Sequence, residues 1–406
     1  MLQYFTDPVL RAPTIGSMLM CVASALVGVM VFLRRRSLLG EALSHAAYPG
    51  VVISVIVVAS LFPSSDHILA VAILVGAFIS GVAGLWAIDL LEKRFKVKND
   101  AALCFVLSVF FGIGILIASR IQITHALWYK QIQVFLYGQA ATMTDVHMGI
   151  YGALAFIIAV MIVLSYRLIE LIHFDREYAT SLGVKTRVID ALIFLLLVLA
   201  IVVGIRSVGV VLMSGMLIAP AVAARQHTNR LWLVFLLAAF FGLASGFFGN
   251  YLSVELPQFF SLKFSLPTGP MILLVASAIC LFSLFFAKEN GVIPRYMRIV
   301  SFRNQCLQEN ILKMLWKRGA LTFKEIAHLQ QIKPFALANL LRKLRREGWI
   351  EKKVTYILTR EGMQKAARII RLHRLWEVYL VYLGQNRDKV HRNAEEMEHI
   401  ITPELE

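Results

Sequence analysis

Nine stretches of this 406-residue chain are apolar enough, and close enough to twenty residues long, to cross a bilayer: about 14–33, 42–62, 68–91, 101–118, 148–169, 188–204, 207–224, 231–252 and 270–287. A hydrocarbon core of about 30 Å is spanned by roughly 18–20 apolar residues in helical form. So many runs exclude a soluble enzyme with one buried helix. The run at 207–224 is interrupted by Gly and Pro, and 124–144 is half polar, so eight to ten spans are expected. Only 16% of the residues are charged and 58% are hydrophobic, against about 25% charged in a soluble domain. No short basic segment precedes a cleavage site at the N-terminus, so the first run reads as a retained span.

Alternating nine spans puts Arg34 to Arg36, the cluster Lys93, Arg94, Lys96 and Lys98, the 167–187 loop, Arg225 and Arg230 on one side, together with the tail. The excess of cations makes that side cytoplasmic and turns the N-terminus outward. Residues 1–287 carry 18 of the 41 Lys and Arg and 12 of the 25 Asp and Glu; the tail, 288–406, carries the other 23 and 13. Such a basic tail suits a partner with phosphates, either nucleic acid or an anionic lipid surface. Cys21, Cys104 and Cys280 fall in apolar runs and Cys306 in the tail, with no spacing that suggests a disulfide or zinc knuckle.

After Phe286 the pattern becomes that of ordinary amphipathic helices. The division expected is a transmembrane domain over 1–287, a linker over 288–302, a winged helix-turn-helix over 303–360 and a helical metal-sensing region over 361–406. Helices are expected at about 303–318, 323–331, 334–347, 361–383 and 388–401, with two short strands near 350–358. Thr322 followed by Glu325 has the pattern of a capping box, and Thr359 can cap the next helix. Three helices followed by a β-wing is the winged helix-turn-helix order.

At the start of the second span the chain reads GEALSHAAYPG, which puts Glu41 and His45 on one helical face. Ionisable groups in a membrane are costly and usually face a bundle interior or an aqueous path. A carboxylate with an imidazole suits Mn(II), Fe(II) or Zn(II). The plain alternative is a Glu41 at the interface beside Arg34 to Arg36 and a His45 bonded to a neighbouring helix. Four segments, RRRSLLGEALSHAAYPGV (34–51), FDREYATSLGV (174–184), SVGVVLMSGMLIAPAVAARQ (207–226) and LPTGPMILLVA (266–276), resemble the permease subunits of the manganese, zinc and iron ABC importers. The resemblance covers about 14–287. It implies that Glu41, where the family usually has Asp, and His45 line the metal path. It also implies that FDREYATSLGV is the coupling helix fitting a groove on the ATPase, with Asp175, Ala179 and Gly183 on matching positions. Without the family, the same loop reads as a short polar helix that Asp175 can start and Gly183 can end. No GxxxxGK[ST] loop occurs in the chain, so ATP hydrolysis is expected from a separate subunit.

In the tail, a recognition helix is expected at 334–347. Phe335, Leu337, Leu340, Leu341 and Leu344 supply its core, while Lys333, Asn339, Arg342, Lys343, Arg345 and Arg346 approach DNA, the cations chiefly at phosphates and Asn339 at a base edge. Binding to anionic lipid, or to another protein, stays open. Further on, RLHRLWEVYLVYLGQNRDKVHRNAEEMEH (371–399) sets His373 and Glu377 four apart, then His391 and Glu395, then Glu398 and His399. This is the composition of a two-site divalent metal centre, although surface helices also carry such residues.

Residues 304–403 resemble the N-terminal half of the diphtheria-toxin-repressor family of metal-dependent regulators. The resemblance puts Cys306, Glu309, His373, Glu377, His391, Glu395, Glu398 and His399 on metal-ligand positions. Iron-type members carry Met at the Cys306 position and Cys at the Glu395 position; manganese-type members carry Asp and Glu. The set here is mixed, which leaves Mn, Fe and Zn open, and the family's SH3-like C-terminal domain is expected to be missing.

The expectation is therefore an all-α polytopic protein of the bacterial inner membrane, the permease of an ATP-driven importer, with a fused cytosolic metal-responsive domain. Its partners would be an ABC ATPase, an extracytoplasmic metal-binding protein, a second permease (a copy or a paralogue), membrane lipid and DNA. The competing readings are a tethered transcription factor whose membrane part only senses, and a secondary transporter needing no ATPase. A hydrolase is disfavoured, because Ser44 and Ser214 lack a base and orienter in recognisable order and no HExxH or GxSxG motif occurs.

Overall fold

The computed structural model describes residues 3–34, 36, 38–61, 66–261, 266–385 and 387–397. They form two compact units, Met1–Pro294 and Arg295–Glu406.

The first unit contains α1 (Gln3–Thr6), α2 (Pro8–Leu33), α3 (Leu38–Leu61), α4 (Asp66–Lys93), α5 (Asn99–Thr124), α6 (Ala126–Tyr137), α7 (Asp145–Phe174), α8 (Arg176–Ser181), α9 (Thr186–Val208), α10 (Val210–His227), α11 (Leu231–Phe259) and α12 (Thr268–Phe286). Among the described residues, nine of these helices (α2–α5, α7 and α9–α12) are long and apolar enough to cross a membrane. Most run several residues past the apolar stretches read from the sequence, because the end turns carry polar residues. At α2, for example, Asp7 accepts a hydrogen bond from the Val9 amide at 2.8 Å and Pro8 occupies the first helical position. The half-polar 124–144 segment forms the 12-residue α6, too short to span, and a single 3-10 turn at Ala140–Thr142.

Two spans are interior. In α2 and α3 72% of the spanning window is buried, against 22% in α7 and α12. Small residues make this possible, since lipid-facing helices gain little from apolar burial and depend on close backbone approach. At the crossing of α3 and α4, a Cβ on Gly50 would overlap the Gly76 carbonyl, and one on Gly76 would overlap Ser54 Oγ. One turn on, Ser80 Oγ donates to the Ala46 carbonyl at 2.6 Å, so the interface also carries an interhelical hydrogen bond.

The second unit contains α13 (Val292–Arg318), α14 (Phe323–Gln330), α15 (Pro334–Arg346), β1 (Ile350–Lys352), β2 (Tyr356–Leu358), α16 (Arg360–Tyr382) and α17 (Arg387–Met397). The strands pair antiparallel with Ile350 opposite Leu358 and Lys352 opposite Tyr356. Thr322 and Glu325 form a reciprocal capping box at α14, and Thr359 Oγ1 caps α16 by accepting from the Gly362 amide at 3.1 Å. Residues 292–302, the larger part of the linker expected over 288–302, are helical and form the beginning of α13. Phe335 is 81% exposed rather than in the core, while Leu337, Leu340, Leu341 and Leu344 are buried. The physical reason is phase: the four leucines recur every three or four residues, and Phe335 lies on the opposite side of the helix from them.

Replacing Gly76 by Val should separate α3 from α4 at a cost of about 1–3 kcal/mol or more. The expected outcome is a lower yield of monodisperse protein on size exclusion in detergent and a lower thermal midpoint; an unchanged midpoint would count against this crossing.

Candidate functional site

Two groups of polar side chains stand out, one in each unit. In the first, Glu41 lies in the first turn of α3 and is partly exposed, whereas His45 is only 7% exposed. The His45 ring meets Phe111 of α5 edge-on with centroids 4.4 Å apart, and its Nδ1 is buried with no hydrogen-bond partner among the described residues. Pro49 sits inside α3 four residues beyond His45. At the far end of this unit, a cavity of about 1050 Å³ opens between the start of α2, α6, the end of α11 and the start of α12, with Lys130, Gln139, Asn250, Ser253 and Thr268 in its lining.

The short helix α8 is built by the residues singled out in the sequence. Asp175 caps it by accepting from the Tyr178 amide at 2.9 Å. Ala179 is fully buried, and its carbonyl accepts from the Val184 amide at 3.1 Å while the Gly183 amide reaches Thr180 O at 3.0 Å. That closing pattern needs a left-handed residue, and Gly183 supplies it at φ +81°. These three residues shape the helix. The large apolar side chains that face outward are Phe174 (92% exposed), Tyr178 (54%) and Leu182 (58%), which the sequence reading did not single out.

The turn before α3 is held by carboxylates from other helices. Arg34 donates to Asp190 Oδ1 at 2.6 Å, Arg176 to Asp190 Oδ2 at 2.5 Å, and Arg36 to Glu92 Oε2 at 3.2 Å. Asn99 donates to the other Glu92 oxygen.

In the tail, His373 Nε2 lies 3.1 Å from Glu377 Oε1 and 3.1 Å from His391 Nδ1, and His391 Nδ1 lies 2.7 Å from the same Glu377 oxygen. Helical spacing stacks His373 and Glu377 on α16, and the short turn at Leu383–Gly384 brings α17 back so that His391 meets them. His373 is buried and His391 exposed. The hydrogen bond from His391 holds the Glu377 carboxyl below the usual carboxylate range; partial burial opposes this, and the charge of His373 assists it.

This donor set fits a divalent transition metal. Atoms bound about 2.0–2.2 Å from one ion stand roughly 3.0–3.5 Å apart, so the triad needs only a slight opening to admit one. Among the described residues it is the one group of three or more such side chains with converging donor atoms. Lys313, also buried, places Nζ 3.5 Å from His373 Nδ1, a neighbour that sequence reading missed. Cys306 and Glu309 lie three residues apart on α13 and are not among the three converging groups, Glu309 accepting instead from Gln305 at 3.0 Å. Glu395 is a position on α17 whose side chain lies outside the described residues, as do Glu398 and His399 altogether.

Lys333, just before α15, and Asn339, Arg342, Lys343, Arg345 and Arg346 on it are all exposed. Asn339, Arg342, Lys343 and Arg346 share an arc opposite the four buried leucines. Arg342 donates to Asn339 Oδ1 at 3.3 Å, and Lys343 is 3.8 Å from Glu347.

A family model described as the ABC 3 transport family matches residues 6–287. The chain belongs to that family. A second model, described as the iron dependent repressor, metal binding and dimerisation domain, matches residues 359–406, which take in α16, α17 and the triad. The chain is similar to a probable metal transport system membrane protein of Chlamydia trachomatis serovar D, 34% identical over 419 residues that cover 99% of this chain and 92% of that one. That match includes the tail. It is 35% identical over 298 residues to the zinc transport system membrane protein TroC of Treponema pallidum, covering 73% of this chain and 95% of that one. Similarity to the manganese transport system membrane protein MntC of Bacillus subtilis is 31% over 374 residues, 90% and 83% of the two chains. Among solved structures, PsaBC from Streptococcus pneumoniae in complex with Fab has the same membrane fold, with TM-score 0.60 and 24% identity over 73% of this chain and 97% of that one. The chain is thus a multi-pass membrane protein of the ABC permease type.

Replacing His391 by Ala in the full chain should weaken binding of Mn, Zn or Fe(II) at the tail by at least about tenfold. For the unaltered chain, affinity should fall as the solution is acidified, because protons compete with the metal for the same donor atoms. Titration calorimetry in detergent reads both, and equal affinity in the two proteins would remove the triad as a site.

Proposed function

We propose that this chain is the permease subunit of an ATP-driven importer of a divalent transition metal, Mn, Zn or Fe, whose tail is cytosolic and senses the same metal. The observation that carries the reading is the union, in one polypeptide, of an ABC 3 membrane unit with a tail whose two imidazoles and one carboxylate converge to 2.7–3.1 Å. The metal named for the relatives TroC and MntC supports the substrate class.

In this reading Glu41 and His45 line the path. A buried imidazole nitrogen with no partner among the described residues is a donor held ready for a passing cation, and Glu41 one turn away offers a carboxyl group nearer the aqueous end. The permease contributes alternating access, and a separate ABC ATPase contributes the energy. The exposed Phe174, Tyr178 and Leu182 around α8 form the apolar surface that the ATPase covers, with Asp175, Ala179 and Gly183 fixing its shape. An extracytoplasmic metal-binding protein delivers cargo to the outer cavity, and a second permease completes the path.

In the tail, His373, Glu377 and His391 would hold a regulatory metal, with Cys306, Glu309, Glu395, Glu398 and His399 as ligands of a second position. Bound metal supplies positive charge and a cross-link between α16 and α17. Through the exposed basic arc of α15, the element order α13–α14–α15–β1–β2 offers a phosphate-binding surface for DNA, the second output alongside control of transport.

The test is uptake into proteoliposomes containing the full chain, its co-purified ATPase subunit and the binding protein. Glu41→Gln and His45→Ala should each lower uptake of the carried metal by at least about tenfold while the ATPase subunit still co-purifies. Full uptake by both variants would refute the path, and promoter binding without any uptake by the unaltered chain would favour a tethered regulator.

A further inference from the structure

Between α8 and the start of α3 runs a chain of charged contacts that lies outside both metal sites. Asp190, in the second turn of α9, uses one oxygen for each of two arginines: Oδ1 takes Arg34, which ends α2, and Oδ2 takes Arg176, the first residue of α8. Arg34 and Asp190 are nearly out of water, with side chains 13% and 17% exposed, whereas Arg176 is 58% exposed. Arg34 also lies over the Phe194 ring at 5.2 Å, one turn further along α9, so its guanidinium is fixed from two directions. Glu41 lies seven positions beyond Arg34. On the other side of that turn, Arg36 is tied to Glu92 at the end of α4, and Glu92 is tied to Asn99 at the start of α5.

A packed apolar contact resists compression and yields to tension. The short Arg34–Asp190 pair, of low exposure, resists both, because pulling it apart leaves charges facing a poorly solvated site, while the Arg176 side of the network is open to water and holds more weakly. The two carboxylates therefore play different parts. Glu92 binds the turn to spans that are themselves embedded, giving it a fixed point. Asp190 binds the same turn to α8, an exposed helix of six residues outside the spans. Displacement of α8 relative to α4 and α5 is thus delivered to the α2–α3 turn and to the first turn of α3.

We propose that Asp190 is a positioning residue that couples α8 to Glu41 and His45: it converts movement of the ATPase-facing helix into movement of the metal-binding end of α3. The proposal rests on the reading of α8 as the surface that meets the ATPase. Removal of the carboxylate leaves Arg34 and Arg176 confronting each other with no counter-charge, so the link is broken and reversed in sign, while the metal donors and the α8 surface keep their own residues.

The test uses the full transporter in proteoliposomes, the chain with its ATPase subunit and metal-binding protein, and follows Mn2+ or Zn2+ uptake and phosphate release together. Asp190→Asn should lower metal taken up per ATP hydrolysed by about tenfold with the ATPase subunit still bound and ATP hydrolysis near the level of the unaltered complex. Arg176→Gln, which alters a side chain that is 58% exposed, should act in the same direction. Asp190→Glu, which keeps both acceptor oxygens, should restore part of the ratio. The proposal is overturned if Arg176→Gln and Asp190→Asn keep the full uptake per ATP, or if uptake and hydrolysis fall in proportion. If the unaltered chain binds no ATPase subunit, the reading of α8 fails and takes this one with it.

Discussion

Hydrocarbon offers a polypeptide no hydrogen bonds, so every span must satisfy its own amides and then find neighbours by shape alone. In this chain the consequence is concentrated on α3. Its glycine and serine residues let α4 come to backbone contact, Phe111 and Tyr48 close the side toward α5, and most of the helix is withdrawn from lipid. Only a helix enclosed in this way can carry a glutamate and a histidine at its end without exposing them to hydrocarbon. The polar chemistry of the membrane unit is thus a product of its smallest side chains.

Much of the architecture was legible in the amino-acid order because the signals are local. Apolar runs mark spans directly, and the caps at Asp175, Thr322 and Thr359 are read from residues within four positions of one another. What sequence order hid was the register of side chains toward partners far along the chain. That Ala179 is fully buried while Tyr178 and Leu182 turn outward could not be read, because a six-residue helix has too little periodicity to reveal its faces. Phe335 was assigned to a core on composition, although its phase along α15 places it among the exposed positions. The Arg34–Asp190 pair joins residues 156 apart and had no local signature at all.

The tail cluster lies between these extremes. Its members were visible as two histidine–acid pairs at helical spacing, but spacing cannot say that His391 comes back to His373 and Glu377. That depends on the turn at Leu383–Gly384, where Gly384 adopts φ +78° and α17 reverses direction. Nor could it show Lys313 against the far nitrogen of His373, a buried cation sixty residues earlier that shares the imidazole's inner edge. The two units meet their demands by opposite means: the membrane unit isolates a few ionisable groups among apolar neighbours, and the tail gathers many in a small space.

Proline at position 49 completes the chemistry of α3 in a manner that side chains alone do not. A residue at that place would ordinarily donate its amide to the carbonyl four positions earlier, which belongs to His45, and proline has no amide hydrogen to give. The His45 carbonyl therefore lacks the amide that would ordinarily reach it from position 49, beside an imidazole Nδ1 with no hydrogen-bond partner among the described residues. If the path runs past α3 as proposed, a cation there would meet the Glu41 carboxylate, the His45 carbonyl and the His45 imidazole within little more than one helical turn.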